Sequence, residues 1–115
     1  MKNVVLIGAM AVLWLSAAQA VAEAIPPGFK TSSPATGKWC NRRGTFVVSG
    51  GKYRYTRGGK LFSYGSYSIS GNRLSLRNAS GRATTLRFYR NAGGTRYYKH
   101  PRHANLIRVS RRCNY

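Results

Sequence analysis

Short runs in which apolar and polar residues alternate, each ended by a glycine-containing turn, constrain the fold of this chain most. Leu74 and Leu76 flank a polar residue in one run, and Leu86 and Phe88 flank Arg87 in another. A period of two with apolar residues on one side is typical of a half-buried antiparallel strand. The predicted strands span residues 38–42, 45–48, 52–56, 61–70, 73–77, 84–90, 95–99 and 105–110.

The connections between these runs have the composition of hairpin turns. Gly-Gly and Gly-Asn pairs at residues 50–51, 58–59 and 71–72 accept the positive φ that such turns require. Within residues 61–70 the apolar positions change phase at Gly65-Ser66, which predicts a β-bulge. We therefore predict an all-β domain over residues 37–115, a small antiparallel up-and-down (meander) barrel of seven or eight short strands.

The first 20 residues have the features of a secretory signal peptide. Lys2 precedes an apolar run over residues 4–18, and Ala18-Gln19-Ala20 is a cleavage site, with cleavage after Ala24 as an alternative. The run is shorter than the ~20 apolar residues of a membrane span. We expect a secreted or periplasmic protein with no transmembrane span in the mature chain. Residues 21–36, which contain three prolines, are predicted to form an extended leader.

Cys40 lies in the first predicted strand and Cys113 just after the last. An oxidising compartment favours a disulfide between them. In an up-and-down barrel the first and last strands are neighbours, so a Cys40–Cys113 disulfide would join the seam. A zinc site with His100 and His103 is a rival, but the ligands lack the usual close cysteine spacing. We expect no metal ion and no cofactor.

Glu23 is the single acidic residue in a chain of 115, against 20 Lys and Arg, which gives a formal net charge of +19. Carboxylate-pair glycosidases, aspartic proteases and Ser-His-Asp hydrolases are therefore excluded, as are Ca²⁺ or Mg²⁺ sites built on side-chain carboxylates. Cations that no internal acid can balance favour an anionic partner.

Strand alternation places a set of cations on the outward face. They are Lys52, Arg54, Arg73, Arg77, Arg87 and Arg108. Arginine binds phosphate, sulfate or carboxylate through two parallel hydrogen bonds. We predict that these residues bind an anionic polymer or membrane surface, such as a phosphorylated glycan, lipopolysaccharide or nucleic acid. Because every surface would be basic, we expect a monomer.

Aromatic residues are interleaved with the cations. Tyr89 and one of Tyr97 or Tyr98 are predicted to face outward, an arrangement suited to stacking the bases of single-stranded nucleic acid.

The segment Lys99-His100-Pro101-Arg102-His103 is the one with catalytic character. Two imidazoles acting as base and acid would suit RNA cleavage, whereas Pro101 and the neighbouring charges equally describe an exposed turn. We expect no enzymatic activity, with a secreted cationic toxin or a ribonuclease using His100 and His103 as the alternative.

Gly37-Lys38-Trp39 at the start of the first predicted strand resembles the Gly-x-Trp signature of calycin-type barrels, which include lipocalins, avidins and small bacterial protease inhibitors. The resemblance implies that an arginine near the end of the last strand, Arg111 or Arg112, lies over the Trp39 ring. It also implies an alternative function as an inhibitor or a small-ligand carrier. We predict that Trp39 is buried near the base of the barrel.

Overall fold

The computed structural model describes residues 24–113, and over this range the chain contains strands and turns but no helix. The predicted signal peptide at residues 1–20 lies outside the described residues. Among the residues described there is accordingly no helix long and apolar enough to cross a membrane. The predicted all-β class is confirmed.

The described residues form nine strands in one sheet. The strands are β1 (Lys30–Thr31), β2 (Gly37–Cys40), β3 (Thr45–Ser49), β4 (Lys52–Arg57), β5 (Lys60–Ser70), β6 (Arg73–Asn78), β7 (Ala83–Arg90), β8 (Arg96–Lys99) and β9 (Ile107–Arg108). Every run predicted from alternation overlaps one of the strands β2 to β9. Strand β1 is additional and lies in the segment expected to be a leader.

Strands β2 to β9 form an antiparallel meander in which each strand pairs with the next, and β1 pairs with β7. The sheet curls into a half-barrel. Its two edges meet where Cys40 and Ser110 form an isolated antiparallel bridge, with both backbone hydrogen bonds at 2.8 Å. The predicted meander architecture is therefore confirmed.

A disulfide joins Cys40 to Cys113 across the same seam, as predicted. The two Cα atoms lie 5.8 Å apart, within the range that disulfides ordinarily span. In the chain-entropy treatment, closing a loop with a sequence separation of 73 stabilises the fold by roughly 4 kcal/mol. A disulfide of this kind is typical of proteins in oxidising, non-cytoplasmic environments.

The inward faces of the strands pack into one apolar core around Trp39, which is fully buried, as predicted. Its ring stacks on Phe46 with a centroid distance of 4.4 Å and meets Phe88 and Tyr98 edge-on at 5.8 and 5.5 Å. Most apolar positions of the alternating runs lie in this core or pack against it, as the alternation predicts. They are Phe46, Val48, Tyr53, Tyr55, Leu74, Leu76, Leu86, Phe88, Ile107 and Val109. In the run over residues 61–70 only Tyr67 does so, whereas Phe62, Tyr64 and Ile69 are exposed.

The segment before Gly37 forms part of the folded unit, so the unit begins earlier than the boundary drawn from composition. Strand β1 pairs with Tyr89 and Arg90 of β7, and the Ser32 amide donates to the Phe88 carbonyl at 3.1 Å. Ala35 is fully buried within the core cluster. The leader therefore contributes backbone pairing and packing at the end of the half-barrel where β7 ends and β2 begins.

Strand β5 is the longest and pairs with two partners in succession. Its first half pairs with β4 and its second half with β6, and Gly65 lies opposite both Tyr53 and Asn78. A Cβ atom at Gly65 would overlap the backbone carbonyl oxygen of Arg77. Glycine is thus required where three strands approach most closely.

The bulge predicted at Gly65-Ser66 is wrong in position. The register shift lies between Tyr55 and Thr56 of β4, which pair with Ser63 and Leu61, so Phe62 is the extra residue on β5. The change of phase in the apolar pattern arises because Phe62 and Tyr64 are both exposed, whereas Tyr67 packs against the core.

We expect Gly65→Ala to lower the free energy of unfolding by ~1–3 kcal/mol, because the added Cβ meets backbone that cannot move aside without disturbing the β5–β6 pair. Gly93→Ala is the matched control. A Cβ there would meet only the Asn91 Oδ1 atom, at 3.5 Å, and should change stability by less than about 0.5 kcal/mol. Urea denaturation of both variants checks this, and equal losses would contradict it.

We expect Trp39→Ala to cost ~3–5 kcal/mol, the usual range for truncating a buried aromatic side chain. Trp39→Phe should cost much less. It keeps a ring against Phe46 and removes a buried Nε1–H that has no hydrogen-bond partner among the described residues. Urea denaturation measures both values, and an Ala variant as stable as the wild-type protein would contradict the central place of Trp39 in the core.

Candidate anion-binding sites

The outward face of the sheet carries the predicted cations, which lie on strand positions opposite in phase to the buried residues. Five of the side chains are exposed and that of Arg87 is half-buried. They are Lys52 and Arg54 on β4, Arg73 and Arg77 on β6, Arg87 on β7 and Arg108 on β9. Because these strands follow one another around a curled sheet, the six side chains are distributed around it and do not form one flat surface.

Two of the six are brought together by strand register. Arg73 of β6 lies directly opposite Arg87 of β7, and Arg87 is in turn opposite Lys99 of β8. Directly opposed residues have Cβ atoms about 4.5–5.5 Å apart. The Lys99 ammonium donates hydrogen bonds to the carbonyl oxygens of His100 and His103, so it turns toward the β8–β9 connection. Arg73 and Arg87 are hereafter the outer arginine pair.

The other four cations are further apart. Lys52 and Arg77 both lie opposite Ser66, but on the two sides of β5. Arg77 Nη1 also donates to the Gly81 carbonyl oxygen at 3.1 Å. The register partners of Arg54 and Arg108 are uncharged.

The aromatic residues predicted to face outward are Tyr89 and one of Tyr97 or Tyr98, and the prediction is wrong for Tyr89. Tyr89 is buried although it is on the outward phase of β7, because β1 lies beside it. Tyr98 is in the core. Tyr97 is half-buried, and the leader residue Phe29 meets its ring edge-on at 5.4 Å. The composition of the leader gave no sign that it would pack here.

The arginines after the last strand lie at the seam. Arg111 Nη1 donates to the carbonyl oxygens of Thr36 and Lys38, at 2.6 and 3.2 Å, on either side of Gly37. It thus tethers the last segment to the first long strand through hydrogen bonds. Arg112 is exposed, and its carbonyl accepts a hydrogen bond from Ser110 Oγ. The resemblance implied a cation–π contact of Arg111 or Arg112 with the Trp39 ring. Within residues 24–113 the cation–π contact is instead between Arg57 and Phe62.

The meander places alternate connections at opposite ends of the half-barrel. The β2–β3, β4–β5, β6–β7 and β8–β9 connections share one end, and all of them except Gly58-Gly59 contain at least one arginine. The connections at the other end, residues 50–51, 71–72 and 91–95, contain no charged residue. This difference in alternate turns is the sequence signal that could have located the charged end.

A cavity of about 1070 Å³ opens at this charged end, and we call it the mouth. The arginines that line it form the rim. The rim comprises Arg42, Arg43, Arg57, Arg82, Arg102 and Arg108, of which Arg108 is also one of the six outward cations. Deeper in the cavity are aromatic side chains, among them Tyr53, Tyr55 and Tyr98. Sequence reasoning did not single out the rim, because its members come from three separate connections and from strands β4 and β9.

Aromatic rings form a continuous series from the core to the mouth. Trp39 stacks on Phe46, Phe46 stacks on Tyr55 at 4.3 Å, and Tyr55 meets Phe62 edge-on at 5.8 Å. The Arg57 guanidinium carbon lies 4.7 Å from the centroid of the Phe62 ring. The series ends in a ring that is 64% exposed.

Two hydroxyl groups beside these rings are positioned by hydrogen bonds. Asn41 Nδ2 donates to the Tyr98 hydroxyl oxygen at 2.8 Å, and the hydroxyls of Tyr53 and Ser63 also lie 2.8 Å apart. Burial raises the pKa of Tyr98 to about 12, against the opposing effect of the Asn41 hydrogen bond. Tyr98 therefore remains a neutral phenol at physiological pH.

His100 and His103 also line the mouth, with ring centroids 4.9 Å apart. His100 Nδ1 accepts a hydrogen bond from the Arg102 backbone amide at 3.0 Å, so the neutral ring carries its proton on Nε2. Desolvation lowers the pKa of His100, with further lowering by His103, Arg102 and Lys99. Both cysteines are in the disulfide, so neither supplies a thiolate for the zinc site considered above.

Comparisons of the chain with protein-family models, with curated proteins and with solved structures gave no match.

We expect the stability of the protein to fall as the pH decreases below 6.5, the ordinary pKa of His100. Because the folded-state pKa is lower, the unfolded chain takes up a proton first, and stability is lost as the pH falls toward the folded pKa. Residues 24–113 contain no Asp or Glu to add a competing dependence. Urea denaturation at about pH 7.5 and about pH 5 measures the effect, and His100→Gln should reduce it. A slope unchanged by this substitution would contradict the assignment.

Proposed function

We propose that this chain is exported and binds an anionic envelope or extracellular polymer through the arginines of its outward face, acting as a monomer and not as an enzyme. Phosphorylated glycans, lipopolysaccharide and nucleic acids present the repeated anionic groups that such a surface would bind. An anionic membrane surface offers the same chemistry. Arginine is suited to this task because its planar guanidinium donates two parallel hydrogen bonds to one anionic group.

The excess of cations over acids is the observation that carries the proposal. The chain has 20 Lys and Arg and one acidic residue, Glu23, and residues 24–113 contain no Asp or Glu. Six of the cations lie on outward strand positions, and a positive surface of this kind favours an anionic partner. A polymer is favoured over a single ion because these cations lie on four strands, β4, β6, β7 and β9, which one small anion could not span.

Export is supported by two independent features. The first 20 residues have the charged start, apolar run and small-residue cleavage site of a signal peptide. The Cys40–Cys113 disulfide fits a secreted or periplasmic destination, where such bonds form and persist.

The proposal predicts that replacing the outer arginine pair by glutamine will weaken polymer binding and reduce its dependence on salt. With single-stranded oligonucleotide as the probe, each lost phosphate contact should reduce the slope of log affinity against log salt by about 0.7. Fluorescence anisotropy over a range of salt concentrations measures both quantities. The double variant Arg42→Gln/Arg43→Gln removes the same amount of charge from the rim of the mouth and is the matched control.

Two outcomes would contradict the proposal. One is binding that persists undiminished at about 1 M salt, since counterion release could not then be its source. The other is an equal loss of slope in the outer and control double variants, since any pair of charges would then serve. His100→Gln should leave polymer binding unchanged, and lipopolysaccharide tested in the same way extends the result to an envelope polymer.

A second candidate is a calycin-like small-ligand carrier or inhibitor, and the mouth is the observation that favours it. A cavity of about 1070 Å³ with an aromatic interior is large enough for a small molecule. The resemblance around Trp39 points the same way, although the rim is cationic rather than apolar.

A further inference from the structure

The concentration of charge at the mouth is not a simple consequence of basic composition. Six arginines line one opening, and three of the four connections there contain at least one of them, whereas the connections at the opposite end contain no charged residue. Converging guanidinium groups repel one another, and within residues 24–113 there is no carboxylate side chain to offset them. The arrangement is therefore best satisfied by an anionic group that enters the mouth.

Phe62 supplies a second and different indication of a ligand. It is the extra residue at the β4–β5 register shift, and bulges are known to redirect side chains beside binding sites. The ring is 64% exposed, with the Tyr55 ring nearly perpendicular to it at a centroid distance of 5.8 Å and the Arg57 guanidinium carbon 4.7 Å from its centroid. An exposed ring held in this way presents a stacking surface next to a cation.

The rings beneath Phe62 make that surface rigid. Tyr55 stacks on Phe46, which stacks on the fully buried Trp39, so the series is anchored in the core. A ligand that stacks on Phe62 would therefore order few additional side chains on binding, which lowers the entropic cost of association. The Tyr53 and Tyr98 hydroxyls, deeper in the same cavity, are available as polar partners for a ring substituent.

We propose that the mouth binds a small ligand in which a phosphate group is joined to a planar aromatic ring. The ring stacks on Phe62, and the phosphate accepts hydrogen bonds from Arg57 and neighbouring guanidinium groups of the rim. Stacking on an aromatic side chain with a guanidinium alongside is the combination that proteins use for phosphorylated bases. This site is distinct from the outer arginine pair, because the mouth is concave and neither Arg73 nor Arg87 lines it, although Arg108 belongs to both the outward face and the mouth.

Isothermal titration calorimetry of the disulfide-bonded protein with four probes tests the proposal. The probes are adenosine monophosphate, 4-nitrophenyl phosphate, adenosine and inorganic phosphate. We expect at least one of the two phosphorylated rings to bind about tenfold or more tightly than either adenosine or inorganic phosphate. Binding of both assigns the site to aryl phosphates in general, and binding of adenosine monophosphate alone assigns it to nucleotides. If neither exceeds phosphate and adenosine, the proposal is overturned.

Variants then locate the binding. Phe62→Leu removes the stacking surface and Arg57→Gln removes the neighbouring charge, so each should weaken the phosphorylated probe about tenfold, whereas Phe62→Tyr should restore it. Leu61→Ala is the matched control, because Leu61 is the adjacent exposed residue on β5 and lies opposite Thr56. Oligonucleotide binding at the outward face should survive in every variant, which separates loss of the site from loss of the fold.

An unchanged affinity in both Phe62→Leu and Arg57→Gln would overturn the proposal, as would an equal loss in Leu61→Ala. Failure of this site leaves the outward face intact as a polymer-binding surface. Conversely, an outer-pair variant that loses oligonucleotide binding should still bind the phosphorylated ring. The two sites can therefore fail independently.

Discussion

The junction between the first long strand and the end of the last is the interaction on which the rest of this structure depends. There the Cys40–Ser110 bridge supplies two backbone hydrogen bonds, the disulfide fixes the two segments covalently, and Arg111 donates to the carbonyl oxygens of Thr36 and Lys38. Without this junction the meander would be an open sheet with one apolar face in water. With it, the sheet curls around Trp39, and the connections between its strands converge at a single opening.

The scarcity of acidic residues determines which interactions can hold this fold together. No ion pair between side chains can form among residues 24–113, because that range contains no Asp or Glu. Cohesion therefore comes from backbone pairing, from aromatic stacking around Trp39 and from the disulfide. Arg111 strengthens the seam through its hydrogen bonds, whereas most other cations lie on the outward strand positions and around the mouth. Cations that no Asp or Glu of this range can balance favour an external anion, which is the physical basis of both proposed sites.

The sequence predicted the strands, the inward residues and the disulfide because each depends on local alternation or on the order of strands. The packing of the leader was not predictable in this way. Ala35 and Phe29 lie in a segment without periodicity, and only the finished sheet offers them a surface, which is also why Tyr89 is buried rather than exposed. The mouth was not predictable for a related reason. Its arginines come from distant parts of the sequence. Phe62 fits the apolar alternation of its run, and only strand pairing shows that it is an extra residue without a register partner on β4.

The two ends of the half-barrel differ in what they contribute: one end stabilises the fold and the other carries the mouth. At one end the leader pairs with β7 and buries Ala35, and the turns there are short, glycine-rich and uncharged. This end adds apolar burial and backbone pairing to the core. The opposite end keeps an exposed ring and a group of uncompensated guanidinium groups, features that lower stability and that a small domain can retain only when the remainder is well packed. Because the ring series from Trp39 to Phe62 connects the two ends, the packing that stabilises the fold also holds the mouth in place.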